Sequence, residues 1–389
     1  MSMPGHLPPA AAPAPVQPLW QQPRTGASTA SIVLAVFGIA LGALLLVLLF
    51  VYFILGLGVG GVIIATVAAL VPLVIVLLAV RWVDRWEPEP RSALWFAFLW
   101  GAGAAVVIAL LFDLSVQIAS YASGVTLQSD LTASVLQAPL VEEGAKGFGV
   151  LLILWVGRRY FDGPVDGLVY AATVAGGFAF SENILYFGSA LAEGGDSFVS
   201  TFVVRGIFSP FAHVMFTSCT GLALGFASRR TGRGGAIGFY LLGLIPAAGL
   251  HALWNGAFYV VSDVVSYYLI VQVPLFLGAI ALVVTLRVTE RRVTRTRLAE
   301  YAEVGWFAPS EVDLLSTHTG RRQAMLWARA QPVVPGQDKV AAMKRFVRDA
   351  TRLAHTRQRL VRGRAAIGSA PDELALLSAI GEDRRALLA

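Results

Sequence analysis

The chain has 389 residues, 56% of them apolar and only 14% charged, where a soluble domain carries roughly 25% charge. Residues 288–389 hold 18 of the 30 Lys+Arg and 11 of the 24 Asp+Glu, so a charged tail is joined to a nearly uncharged body with a mean hydropathy of +0.69 for the whole. This excludes an ordinary soluble protein. The single cysteine, Cys219, excludes an internal disulfide or a paired-cysteine metal site, and a net charge of +6 spread over short clusters is no nucleic-acid signature.

In chain order, residues 1–30 form a Pro/Ala-rich leader with too little apolar content to order itself. Eight stretches then reach the roughly 20 apolar residues that a membrane-crossing helix needs. They are Ser31–Leu57, Gly60–Val80, Ser92–Phe112, Leu131–Gly157, Gly163–Ala190, Ser200–Ser228, Gly235–Val260 and Val265–Arg287. The Trp and Pro residues around Asp84–Pro90 read as interfacial anchors. Basic residues fall in alternate loops: Arg81, Arg85 and Arg91; Arg158 and Arg159; Arg229, Arg230 and Arg233; then Arg291, Arg292, Arg295 and Arg297. The intervening loops carry no Lys or Arg, which predicts that both termini are cytoplasmic. The expected fold is an all-α membrane protein of eight transmembrane helices over residues 31–287, followed by a cytoplasmic helical tail over 288–389. In that tail Pro309, Ser310 and Asp313 form a helix-start pattern of capping-box type, Pro332 and Pro335 interrupt, and a basic segment runs from Asp338 to Arg364. A solvated helical appendage is the simpler reading of it than a lipid-binding one.

Ionisable residues inside the spans carry the functional signal, because each costs roughly 2.5–3.5 kcal/mol at a helix centre. Span four contains Glu142, Glu143 and Lys146. Span five contains Glu182 and Asn183, span six Arg205 and His213, and span seven His251 and Asn255. With a rise of about 1.5 Å per residue, Glu142, Glu182, His213 and His251 lie roughly 12–20 Å from the external ends of their spans, in one slab of the bilayer. Lys146 is spaced to pair with Glu142 (i,i+4) and Glu143 (i,i+3). His251 and Asn255 share a helix face from which both can donate to an oxyanion. Glu182 with Tyr186, and His213 with Thr217, are further i,i+4 pairs. Pro210 and Pro246 lie where they can open the two histidine-bearing helices. Cys219 reads as packing.

Two chemistries fit this set. One is peptide hydrolysis inside the membrane by a carboxylate-activated water, with or without a metal; a zinc ion would draw on Glu143, Glu182, His213 and His251. Neither a nucleophile elbow nor an HExxH sequence is present. The other is a proton- or ion-coupled transporter using the buried Glu/Lys/His groups as a relay, against which no inverted repeat of the spans is visible. Singly, residues such as Arg205 or His213 fit ordinary interhelical hydrogen bonding equally well.

The ordered motifs Glu142-Glu143-x-x-Lys146, Phe178-x-x-x-Glu182-Asn183-x-x-Tyr186, His213 and His251-x-x-Trp254-Asn255 resemble the PrsW family of bacterial intramembrane proteases. The segment Asp84-Arg-Trp-Glu-Pro-Glu-Pro90 is similar too, so the likeness covers about residues 80–290. PrsW proteins are in turn distantly similar to the CAAX-prenyl-protease and bacteriocin-processing superfamily, which usually has a histidine where this chain has Glu182. The resemblance implies that Glu143 or Glu142 activates water, that His213 positions it or shuttles a proton, and that His251 with Asn255 stabilises the oxyanion. It also implies that Glu182 orients a histidine or completes a metal site, with Lys146 and Asn183 in support. The implied setting is the bacterial cell membrane and the implied partner a membrane-anchored protein, such as an anti-sigma factor cut on its external side. The family is often labelled metalloprotease, whereas the superfamily's glutamate mechanism needs no metal.

Overall fold

The computed structural model describes residues 29–86, 88–158, 161, 163–332, 338–361 and 369–388. The expectations for the 1–30 leader, Arg159, the Pro335 interruption and the end of the basic segment at Arg364 therefore concern positions wholly or largely outside the described residues. Every element within them is helical. Contacts divide the chain into two compact units at Arg291/Arg292.

The apolar unit begins with α1, Thr29–Asp84, whose helical course is broken at Gly58 by a backbone of φ 73°, ψ 161°. Only glycine adopts that conformation without strain, so the two expected spans 31–57 and 60–80 are joined by one residue and no loop. Next, α2 runs Arg91–Ser123 through a π-helical turn at Trp100–Ala105. A short helix at Asp130–Thr132 and a π turn at Ala133–Gln137 lead into α3, Ala138–Val156. Helix α4 spans Pro164–Glu193. Helix α5 occupies Gly195–Ser228, with a π turn at Val203–Phe208 and a break at residues 209–211. Helices α6, Arg233–Val260, and α7, Val265–Glu303, complete the series. Six of these helices, all but α3, are long and apolar enough to cross a membrane. The fourth expected span, containing α3, falls outside that set because it concentrates three charged residues.

Helix α4 is the hub, buried almost all round, as a helix without a polar face must be. Its neighbours approach to backbone contact through glycines. A Cβ on Gly167 would lie 2.0 Å from the Gly221 carbonyl oxygen of α5, and one on Gly177 would lie 2.3 Å from the Phe98 carbonyl of α2. Among lipid tails no hydrophobic force drives helices together, so such close packing is the main source of association.

Around the Asp84–Pro90 connection Trp82 and Pro88 are exposed, whereas Trp86 turns inward. Trp86 is buried at 3% exposure. Glu89 is buried too, accepting from the Tyr170 hydroxyl at 2.5 Å, while its own N–H donates to Asp84 at 3.0 Å. Arg287 of α7 donates to the Val83 carbonyl. The Arg287 bond satisfies a carbonyl at the end of α1, and Asp84 and Glu89 brace the connection from within.

The second unit packs α8 (Pro309–Ser316), α9 (His318–Ala330), α10 (Lys339–Val361) and α11 (Ser369–Leu388) around Leu298, Leu315, Phe346, Leu353 and Ile380. The start of α8 has only half of a capping box: Glu311 accepts from the Ala308 N–H at 2.8 Å, and the alanine has no side-chain oxygen to return the bond. Asp313 lies too far into the helix for that task and pairs with Arg295 instead. Burial, and then the Glu373 carboxylate to which it donates, push the pKa of the Tyr301 hydroxyl up.

The glycine contacts give a direct test. Gly167→Val is expected to destabilise the protein by at least about 1–3 kcal/mol through overpacking, read as a lower unfolding temperature in detergent. Gly238→Ala, where nothing lies within 4 Å of the added carbon, is expected to be neutral or stabilising by up to about 1 kcal/mol.

Candidate active site

Three breaks in regular helix surround the site. Pro210 has no N–H to offer the Gly206 carbonyl, so α5 cannot continue there; it restarts at Ala212 and presents His213 as the second residue of the new segment. Ser209 turns back, its N–H and Oγ both donating to the Val204 carbonyl at 3.0 and 2.7 Å. The π turn before the break carries Arg205, and the one before α3 carries Ser134. Single π turns of this kind often mark functional sites.

At the centre lies the Lys146 ammonium. It donates to Glu143 Oε1 at 2.7 Å, to Glu142 Oε2 at 3.3 Å and to His213 Nδ1 at 3.0 Å, and sits 3.8 Å from the centroid of the Phe178 ring. Since an ammonium can only donate, His213 Nδ1 accepts. The proton of that ring is then on Nε2, which donates to Glu182 Oε2 at 2.8 Å. Arg205 completes this side, donating through Nη2 to Glu182 and through Nε to Asn183 Oδ1 at 2.9 Å, with its guanidinium 4.0 Å above the Tyr186 ring.

On the other side Glu143 is fully engaged. Its Oε2 accepts from the Thr217 hydroxyl at 2.7 Å and its Oε1 from His251 Nδ1 at 3.2 Å. The His251 proton is therefore on Nδ1, and Nε2 is left with its lone pair. His251 stacks on Phe216 with centroids 5.0 Å apart and meets His213 edge-on at 5.2 Å.

Exposure separates the two glutamates. Glu142 keeps 13% of its side-chain surface open and His213 12%, whereas Glu143 and Lys146 keep none. Ligand atoms of Glu142, His213 and His251 all lie within 4.8 Å of one another.

Most of the residues singled out in the sequence meet here: Glu142, Glu143, Lys146, Glu182, Asn183, His213 and His251 form one connected network. Asn255 is directed elsewhere, its amide donating to the Ser134 carbonyl at 2.8 Å. The close donor group also differs from the expected metal set, since Glu142 takes part while Glu143 and Glu182 hold the ring N–H groups of the two histidines. Two residues join that the motifs did not assign. Arg205 had signalled itself as a charge inside a span. Thr217 was spaced for His213 but turns to Glu143.

Two imidazoles and one carboxylate are a donor set that suits a catalytic zinc with one position left open, and a carboxylate behind a ligating histidine, as Glu143 stands behind His251, is the usual outer support. By kind and number the residues fit such an ion, although Lys146 already donates to two of the three.

Fold and cluster together define a multi-pass membrane protein with a buried carboxylate–imidazole centre. Residues 89–279, the segment that holds the entire cluster, match the PrsW family intramembrane metalloprotease. The chain is 35% identical over 144 residues to a protein named Protease PrsW from Geobacillus kaustophilus (strain HTA426), a match covering 37% of this chain and 58% of the relative. It is 32% identical over 153 residues to the Protease PrsW of Clostridioides difficile (strain 630), covering 39% and 61%. The chain thus spans about three fifths of the length of these relatives. No solved structure gives a significant match. The relatives and the apolar helices make this a multi-pass bacterial membrane protein.

The network makes one stability prediction. Lys146→Met leaves Glu143 buried without its counter-charge and is expected to cost about 3–5 kcal/mol, measured by thermal unfolding in detergent.

Proposed function

We propose that the protein is an intramembrane endopeptidase that hydrolyses peptide bonds of membrane-anchored proteins. The observation that carries this reading is the convergence of Glu142, His213 and His251 from three helices to within 4.8 Å, in a segment that matches a protease family. The chain crosses the membrane eight times, with α1 counted as two crossings about Gly58 and the 130–156 run as one. Both termini are cytoplasmic, which sets the cluster in the outer half of the bilayer. The unit 31–287 is the protease domain and 288–389 a cytoplasmic appendage. Anti-sigma factors are the substrate class implied by the family resemblance. Nothing in the comparisons favours the transporter reading.

Glu142 is the residue positioned to act on water. Its carboxylate is open, while both oxygens of Glu143 are taken. In a carboxylate-only mechanism Glu142 removes the proton from the attacking water, and His251, with Nδ1–H held by Glu143, offers the basic Nε2 to the same water. Lys146 balances the negative charge that persists on the carboxylate pair. His213, held by Glu182, carries the proton towards the leaving amine. Asn255 is a donor for the oxyanion only if substrate displaces the Ser134 carbonyl from it.

In the metal version Glu142, His213 and His251 hold zinc, which supplies Lewis acidity. Glu143 and Glu182 then orient the two imidazoles. The versions differ in whether Glu142 serves as base or as ligand.

The test is cleavage of single-span peptides by the full-length protein in liposomes. Glu142→Gln is expected to lower the rate about 10²–10⁴-fold, and Glu143→Gln about 10–100-fold through misorientation of His251. Undiminished cleavage in Glu142→Gln sinks the assignment. Loss in chelator with rescue by zinc selects the metal version, and insensitivity to chelator the carboxylate one.

A further inference from the structure

The tail unit segregates its charge by helix. Helix α9 carries three arginines and no acid, and α10 seven Lys/Arg and one acid, Asp349. Helix α8 has two acids and no base, and α11 four acids against two arginines. Much of the charge on α10 is met within the unit: Arg345 pairs with Asp383, Arg348 with Asp349 and Arg357 with Glu300. On α9 only Arg321 turns inward, donating to the Leu315 carbonyl and the Thr351 hydroxyl, each at 2.7 Å. Arg322 and Arg329 are exposed, with no acidic partner among the described residues.

The apolar residues of α9 divide in the same way. Ala324 and Ala328 are buried in the core of the unit, but Leu326 and Trp327 stand 52% and 43% exposed. At about 100° per residue the exposed arc of the helix runs from Arg329 and Arg322 through Leu326 to Gln323 and Trp327.

We propose that this arc of α9 rests on the anionic lipid of the cytoplasmic leaflet, with Trp327 and Leu326 among the headgroups and Arg322 and Arg329 on phosphates. The side of the membrane follows from the cytoplasmic tail inferred above; the contact itself is independent of peptide cleavage. Charge complementarity carries it first, since each Arg or Lys near an anionic surface strengthens binding about fivefold. The company of those arginines carries it further. Trp and Leu flanked by basic residues suit the boundary between headgroups and acyl chains, whereas a nucleic-acid backbone would engage the arginines and leave Leu326 in water. One helix face is too small for tight binding in free solution. Residues 288–317 join α9 to the last apolar span, however, so the leaflet is presented at the high effective concentration of a short tether. The tail is thus more than a solvated appendage.

The test uses the full chain with Cys219→Ala and Gln323→Cys, a polarity-sensitive fluorophore being attached to the new thiol. The protein is placed in nanodiscs of phosphatidylcholine alone or mixed with phosphatidylglycerol, the same lipid in both leaflets. In the mixed lipid the emission is expected to shift to the blue and to be quenched by lipid-borne nitroxide; in phosphatidylcholine alone it is expected to be quenched by aqueous iodide instead. Salt at about 1 M, which shortens the screening length to about 3 Å, is expected to reverse the shift. Arg322→Gln and Arg329→Gln are each expected to lower the ratio of docked to free unit about fivefold, and Trp327→Ser about tenfold. The same fluorophore at Glu382→Cys, exposed on α11, is expected to stay open to iodide in both lipids.

Equal emission from position 323 in the two lipids overturns the proposal, as does a shift indifferent to salt and to both arginine substitutions. Equal docking of position 382 overturns the choice of face. A blue shift on adding duplex DNA, with none from phosphatidylglycerol, overturns lipid as the partner in favour of nucleic acid. Cleavage is scored in no arm, so the protease reading neither rescues nor sinks the result.

Discussion

A cation buried among acids in a membrane is the constraint from which the rest of this architecture follows. Lys146 is wholly buried, and an ammonium taken from water into a low-dielectric interior is tolerated only with close counter-charge and filled hydrogen bonds. Its three donors go to Glu143, Glu142 and His213, and its remaining face rests on Phe178. Those partners come from α3, α4 and α5, so satisfying one side chain fixes the mutual rotation of three helices. The tautomer of His213 is set by the same bond, and the position of His251 by the carboxylate that Lys146 neutralises.

Such a tie needs helices that come close, and here sequence and packing connect. The glycines of α2, α4 and α5 bring backbones into contact where side chains would hold them apart. Close approach at Gly167–Gly221 holds the segment of α5 that follows the Ser209–Phe211 break against α4, and the break frees His213 to face inward. Rigid glycine contacts and an irregular helix end therefore act together. The first sets the distance between helices, and the second aims the imidazole.

Much of this was legible in the sequence, because burial of charge is rare enough to be informative. The i,i+3 and i,i+4 spacing around Lys146 forced both ion pairs, and polar residues in four consecutive spans implied one site. Which of Glu142 and Glu143 faces the open side was not legible. Adjacent residues point about 100° apart on a helix, and only the positions of α5 and α6 decide which is enclosed by Thr217 and His251. Asn255 eluded the reading for a related reason. It shares a face with His251, but the π turn at Ala133–Gln137 brings the Ser134 carbonyl within its reach, and one extra residue in a helical turn leaves no mark in an apolar run. Gly58 is a further case, where the change from one expected span to the next needs only a single pair of dihedrals.

Glu182 is the most informative departure from the wider superfamily, which the family resemblance associates with histidine at this position. A histidine here could serve as a third neutral donor beside His213 and His251. A carboxylate cannot be exchanged for it without a balancing charge, and Arg205, one helix away, supplies that charge. With its negative charge held by Arg205, which Asn183 braces in turn, Glu182 has an oxygen to accept from His213 Nε2, which leaves Nδ1 as the acceptor facing Lys146. The imidazole therefore turns Nδ1 towards Lys146 and the Glu143 carboxylate. Replacing histidine by glutamate thus changes the task at position 182 from donating a lone pair to orienting a neighbour, and Arg205 and Glu182 form one unit in which neither charge makes structural sense alone.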